Sequence, residues 1–224
     1  MTRITIKEAF DLLTEAYEAG DLENFCEKSK DKGLAGKLIE HALGIPASGA
    51  NIDCSDGEIK TFQVVKQDCG TLKTDQTIAV SATNTADAFD DVFDDSKYAE
   101  KLKTLLLVPK WTEPNGWVSV GRPKLVCLAK EHPILWQRIR NDYHMIRDIK
   151  LSGGTVESEH GIILQNRTKG PKNSKTRAFY LTVHFLTEIF TDMQGTKPQK
   201  ARRIWWDKYK EQKTDEQTEA RQAA

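Results

Sequence analysis

Asp53, Glu58 and Lys60 are the residues whose types and spacing are best suited to chemistry. Glu58-Ile59-Lys60 opens the run EIKTFQVV, rich in β-branched residues, which reads as a strand. Side chains alternate along a strand, so Glu58 and Lys60 share one face and Ile59 takes the other. Asp56-Gly57 reads as a hairpin turn. That turn predicts that the preceding chain folds back and brings Asp53 beside Glu58. Two converging carboxylates suit an octahedral Mg²⁺ that keeps water and a substrate phosphate as its other ligands. Such an ion activates water, and the lysine orients that water or neutralises the transition state. A solvated hairpin with a cross-strand ion pair is the plain structural alternative. An E-x-K tripeptide alone does not separate the two.

The elements around these residues are legible from periodicity. Ile6, Ala9, Phe10, Leu13, Ala16 and Tyr17 recur at helical spacing over residues 5–19, and Gly20 is a stop. AGKLIEHAL (35–43) predicts a second amphipathic helix that ends at Gly44, with Pro46 beyond it. TIAVSAT (77–83) and KTLLLVP (103–109) predict strands, the latter buried on both faces. A helix over 133–150, a turn at Gly153-Gly154, strands near 162–166 and 178–183 and a helix over 184–192 follow. Helices mixed with a central sheet give an α/β or α+β fold. One domain is expected over 1–210, followed by a polar tail over 211–224.

A wider pattern surrounds the triplet. DKGLAGKLIEHALG (31–44), DGEIKTFQV (56–64), KYAEKLKTLLLVP (97–109), EHGIILQNRTKG (159–170) and AFYL (178–181) occur in that order. Together they resemble the MutH-like PD-(D/E)XK endonucleases, a family of mismatch-repair nicking enzymes and related restriction enzymes that cut at GATC. The resemblance implies a restriction-endonuclease-like fold, a central mixed sheet flanked by helices, and hydrolysis of phosphodiesters in double-stranded DNA with Mg²⁺, for which Mn²⁺ would substitute. It places Lys32 at the lysine that leads the helix and Glu40 at the helix glutamate. Asp53 and Glu58 match the metal carboxylates, Lys60 the catalytic lysine, and Lys101 a lysine near the active site. The gap from aspartate to glutamate is shorter than in MutH, which leaves Asp56 as the alternative to Asp53. The resemblance assigns base reading to Arg167 and Lys169 and adenine sensing to Tyr180.

The residues support a DNA-reading half independently. Residues 161–187 hold Arg167, Lys169, Lys172, Lys175 and Arg177 and no acid. An arginine can hold guanine through two hydrogen bonds. Lys172, Lys175 and Arg177 are expected to position the backbone through phosphates. The formal net charge is zero, because acidic stretches such as Asp87 to Asp95 offset this basic one. That acidic stretch lacks EF-hand spacing and reads as a solvated loop. His160 before Gly161 reads as a turn histidine, and Trp205-Trp206 as indoles packed on the core.

Other classes are disfavoured. The first residues lack the apolar run of a signal peptide, and no window approaches about 18 apolar residues. Cys26, Cys54, Cys69 and Cys127 form no CxxC pair, which argues against zinc and for reduced thiols in a cytoplasm. The leading expectation is therefore a type II restriction endonuclease cutting both strands of a short palindrome such as GATC, as a homodimer on DNA. The segment RTKG differs from the R-P-K usual in MutH, which favours that branch. The runner-up is a repair nickase acting on hemimethylated DNA with MutL. A DNA-binding module without catalysis is the third reading, disfavoured by the presence of both carboxylates and the lysine. A protein-interaction domain using the charged loops is the fourth.

Overall fold

The strand that organises the molecule has apolar side chains on both faces. Leu105, Leu106, Leu107 and Val108 are all essentially inaccessible. In the computed structural model Leu105 and Leu107 join one apolar cluster, and Leu106 and Val108 join another on the opposite face. This period of two makes a central strand that must be covered on both sides. The structure describes residues 3–46, 51–67, 71–74, 76–85, 88–170, 174–190 and 193–195, the last three by backbone only.

In chain order the elements are α1 (Ile6–Ala19), β1 (Cys26–Glu27), α2 (Leu34–Ala42), β2 (Glu58–Gln63), β3 (Val65–Lys66), β4 (Leu72–Thr74) and β5 (Ile78–Ala82). There follow α3 (Lys97–Lys103), β6 (Thr104–Thr112), β7 (Trp117–Val120), β8 (Lys124–Cys127), α4 (Leu128–Glu131) and α5 (Pro133–Leu151). The last are β9 (Leu164–Thr168), β10 (Arg177–Leu181), α6 (Val183–Ile189) and β11 (Met193–Gly195). β6 is the central strand. It pairs in parallel with β2 on one edge, and antiparallel with β8 and then β7 on the other; β1 extends the sheet beyond β7. A second sheet runs β5-β10-β9, wholly antiparallel, and a third runs β11-β4-β3. The expected mixed α/β architecture, a central mixed sheet flanked by helices, is what the chain adopts.

Local sequence explains the helices. Thr5 caps α1 and Glu8 closes a capping box, while Gly20 ends it at φ +85°. Pro133 begins α5, and Gly153 takes φ +76° just past its end. α1 and α2 pack Ile6, Ala9, Leu13 and Ile39 beneath the sheet against Ile59, Leu106 and Val108. α5 packs Ile139, Tyr143 and Ile146 into the other cluster with Phe179 and Leu164.

Two expectations are corrected. Residues 97–103 are helical, so the strand expected over 103–109 begins only at Thr104; Ser96 caps that helix by accepting from the Ala99 N–H at 3.2 Å. The Asp56-Gly57 hairpin does not form. β2 takes β6 as its partner, and residues 51–56 are tied to the start of α1. There Ile52 O accepts from Arg3 at 2.7 Å, and Ser55 N–H donates to Ile4 O at 3.0 Å. Gly57 serves packing: a Cβ there would lie 2.9 Å from Ile6 and 3.0 Å from the Thr104 carbonyl. Cys26, Cys54 and Cys127 are free thiols, and Cys69 lies outside the described residues. No helix among the described residues is long and apolar enough to cross a membrane.

Candidate active site

Among the described residues β2 is the terminal strand of the central sheet, and one of its backbone edges has no strand partner there. Asp53 takes that place. Its Oδ2 accepts from the Ile59 N–H at 3.0 Å, and its own N–H donates to Glu58 Oε2 at 3.2 Å. The two carboxylates are thus brought together as the sequence anticipated, but by side-chain hydrogen bonds to a strand edge. Among the described residues no donor reaches Asp53 Oδ1.

Glu58 is only 2% exposed, and its Oε1 accepts from two ammonium groups. Lys60 Nζ lies at 2.5 Å and Lys101 Nζ at 2.9 Å. Lys60 shares the strand face of Glu58, and Lys101 arrives from α3, whose capped start and buried Leu102 fix it against that face. Burial pushes the Asp53 carboxyl above its ordinary range. The negative Glu58 adds to this, while Lys60 and the Ile59 amide oppose it. Glu40 is likewise raised, first by burial and then by the charge of Asp53, with Lys60 opposing. It reaches this neighbourhood because Gly36 lets α2 approach β2: a Cβ there would stand 3.2 Å from Thr61 Oγ1.

The donor set fits a hard divalent ion. Asp53 and Glu58 offer carboxylate oxygens; Asp53 Oδ1 meets no donor among the described residues, while Glu58 Oε1 already accepts from Lys60 and Lys101. Among the described residues no three His, Cys, Asp or Glu side chains gather closely enough to hold a metal. Glu40 therefore stands outside the pair as a third carboxylate. Mg²⁺ commonly rests on one or two carboxylates with water and phosphate completing its shell. Asp56 is used elsewhere: its Oδ1 accepts from the Ile6 N–H at 2.7 Å, at the first turn of α1.

Lys60 also lines a cleft of about 1120 Å³. Lys32, Lys169 and Tyr180 line the same cleft. The strand register explains why these groups converge. Ala178 opposes Arg167 and Tyr180 opposes Gln165 across β10 and β9, and opposed residues share a face. Arg167 and Tyr180 therefore lie on one face, with Arg167 near enough to offset part of the upward shift that burial gives the Tyr180 hydroxyl. The cleft also holds Lys28, Lys30 and Lys110, which sequence reasoning missed. The alternating charges of EKSKDK (27–32) were the available signal. Lys110 is buried, which lowers its pKa, and its Nζ donates to the Lys32 carbonyl at 2.8 Å.

Not every candidate joins this cleft. Arg177 lies on the opposite face of β10, where its Nε donates to Asn166 Oδ1 at 2.7 Å and its Nη2 to Val156 O at 2.8 Å. Lys175 lines a separate pocket with it. Lys172, Trp205, Trp206 and the tail over 211–224 lie outside the described residues. His160 is a turn residue, its Nδ1 accepting from the Glu157 N–H at 2.9 Å. In the acidic stretch, Asp94 pairs with Arg140 at 2.6 Å, and the carbonyls of Phe89 and Asp90 accept from Arg147.

No protein-family model matches this sequence, and no curated protein does. Among solved structures the chain is similar to one described as a restriction endonuclease MvaI–cognate DNA substrate complex. The TM-score is 0.39 and the identity 16%, covering 81% of this chain and 96% of that chain. Similarity at that level decides nothing about the site, whose chemistry rests on its own geometry.

Proposed function

We propose that the chain is a divalent-metal-dependent DNA endonuclease of the MutH-like PD-(D/E)XK type. Its finer assignment is a type II restriction enzyme that cuts a short palindrome such as GATC. The supporting observation is that Lys60 belongs both to the Asp53–Glu58 cluster and to the basic cleft lined by Lys32, Lys169 and Tyr180. A reacting phosphate held in that cleft lies against the candidate catalytic lysine.

Mg²⁺ on Asp53 and Glu58, with Mn²⁺ as a substitute, would supply an activated water and stabilise charge on phosphorus. Lys60 would orient that water and neutralise a phosphate oxygen. Lys101 holds Glu58 from the side of α3 and balances its buried charge. Glu40 keeps a negative group within reach of Lys60. Lys32 would bind the backbone, while Arg167 and Lys169 would read base edges and Tyr180 would sense the adenine.

The test is relaxation of supercoiled plasmid with Mg²⁺, with Mn²⁺ and with EDTA. Cleavage by the wild type with either metal, and its loss in EDTA, is expected. Glu58→Ala and Lys60→Ala should each abolish cleavage while duplex binding persists. Near-normal cutting by either variant would remove the active-site assignment. An inert wild type that binds duplex in the cleft would favour a DNA-binding module.

A further inference from the structure

We propose that the pocket formed by the end of β5, the end of α5 and the start of β10 is a second phosphate-binding site, separate from the cleft. Resting on the nuclease reading, its occupant is the backbone of the bound duplex outside the recognition sequence.

The pocket measures about 370 Å³, and three cations line it: Lys150 from α5, Lys175 from the β9–β10 connection and Arg177 from β10. Among the described residues no carboxylate lines it. Among the described residues neither Lys150 nor Lys175 has an acidic partner. Three like charges held in one concavity repel each other, and a bound anion would relieve that repulsion.

The polar groups of the pocket point the same way. Each accepts a hydrogen bond within the protein and keeps a donor that meets no acceptor among the described residues. Asn84 Oδ1 accepts from the Arg177 N–H at 2.7 Å, leaving the Nδ2 amide. Thr83 Oγ1 accepts from Asn166 Nδ2 at 2.9 Å, leaving its hydroxyl proton. Thr85 Oγ1 accepts from Lys97 at 3.4 Å, with the same result. Arg177 is oriented by bonds from Nε and Nη2, which leaves Nη1. Cations and spare donors gathered in one pocket match a group that only accepts: a phosphate with several oxygens.

Position supports the backbone as the source. Arg177 precedes Tyr180 by three residues on β10, so the pocket sits about 10 Å along the strand from the cleft-facing tyrosine. It lies round the rim of the sheet, because an odd separation reverses the face. The phosphates of one DNA strand rise by about 3.4 Å each along the helix axis. A duplex whose axis follows β10 past Tyr180 therefore brings a phosphate to the pocket about three base pairs on.

The experiment uses the full chain and two labelled duplexes, one just spanning the cleft and one with longer flanks. Anisotropy is read across a salt series for wild type, Lys150→Gln, Asn84→Ala and Lys150→Arg. In parallel, inorganic phosphate is titrated calorimetrically into each protein. Lys150→Gln should lower the slope of log affinity against log salt by about one unit on the long duplex and leave the short one unchanged. Lys150→Arg should restore the slope. Loss of phosphate binding in Lys150→Gln with an unchanged DNA slope would keep the phosphate site and assign it to a free phosphate ligand. Unchanged slopes and unchanged phosphate affinity in both Lys150→Gln and Asn84→Ala would overturn the proposal. Plasmid cleavage by that same wild type would leave the nuclease reading standing. A lowered slope in a chain that cuts no plasmid would keep the site and remove the nuclease reading.

Discussion

Asp53 and Asp56 lie three residues apart, yet their carboxylates belong to different parts of the fold. Asp53 bonds the open edge of β2 beside Glu58, while Asp56 accepts from the first turn of α1. A carboxylate at a helix N-terminus satisfies an orphan amide and complements the helix dipole, worth about 1 kcal/mol. Asp56→Ala should therefore lower the unfolding free energy by about 1 kcal/mol and leave plasmid cleavage near wild type. Asp53→Ala should abolish cleavage. Denaturant melts paired with the relaxation assay check both. Reversed outcomes would move the metal role to Asp56. The shorter spacing from aspartate to glutamate left this open in the sequence, and the hydrogen bonds of α1 argue for Asp53.

Among the elements, β9 carries Arg167 and is seated by one buried side chain. Asp142 on α5 accepts through Oδ2 from three successive amides, Ile162 at 3.0 Å, Ile163 at 2.7 Å and Leu164 at 2.9 Å. Burial nevertheless raises its pKa from 3.8 to about 6, the three amides and Arg138 opposing. A folded pKa above the unfolded one means that the folded state holds the proton more tightly. The contribution is fully present below 3.8, falls as pH rises through about 6, and is flat above that. Its size is on the order of 3 kcal/mol. Asp142→Asn keeps an acceptor and removes the titration, so stability between pH 4 and about 6 should decline less with pH than in wild type. Asp142→Ala would orphan three amides and should cost several kcal/mol at every pH. Urea melts across that window measure both, and identical pH slopes in wild type and Asp142→Asn would refute the titration.

For the whole molecule, the number of candidate sites decides what product is made. The described residues bring together one carboxylate–lysine cluster, Asp53 with Glu58 and Lys60, and Glu40 lies near it. One site cuts one strand per visit, so cutting both strands of a palindrome in a single encounter takes two protomers whose two-fold axis coincides with that of the DNA. A plasmid with one unmethylated cognate site should be linearised by this chain and Mg²⁺ alone, with a rate that rises more steeply than first order in protein. Methylation of adenine on both strands should suppress cutting if Tyr180 senses that base. Persistent nicked circles, and stimulation by added MutL, would favour the repair nickase.

Much of this was written into the sequence, because it depends on short-range periodicity. Helical spacing set α1, α2 and α5, and strand alternation put Glu58 with Lys60. The unbroken apolar run of KTLLLVP predicted a strand covered on both sides, as Leu105 to Val108 are. What lay beyond it were pairings between distant segments. Asp53 meets Glu58 through the edge of a strand that found its partner in β6 rather than in the preceding turn, since residues 51–56 bond to the start of α1. Lys101 reaches Glu58 only because residues 97–103 form a helix packed on β6. Arg177 and Lys175, counted with the other cations in one basic stretch, are turned away from Lys169 by the odd spacing of β10 and the buried acceptor Asn166. Periodicity fixes which face of its own element a side chain takes. Which faces of distant elements then meet is settled by burial and hydrogen-bond competition across the whole chain, and that competition gave Asp53 to Glu58 and Asp56 to α1.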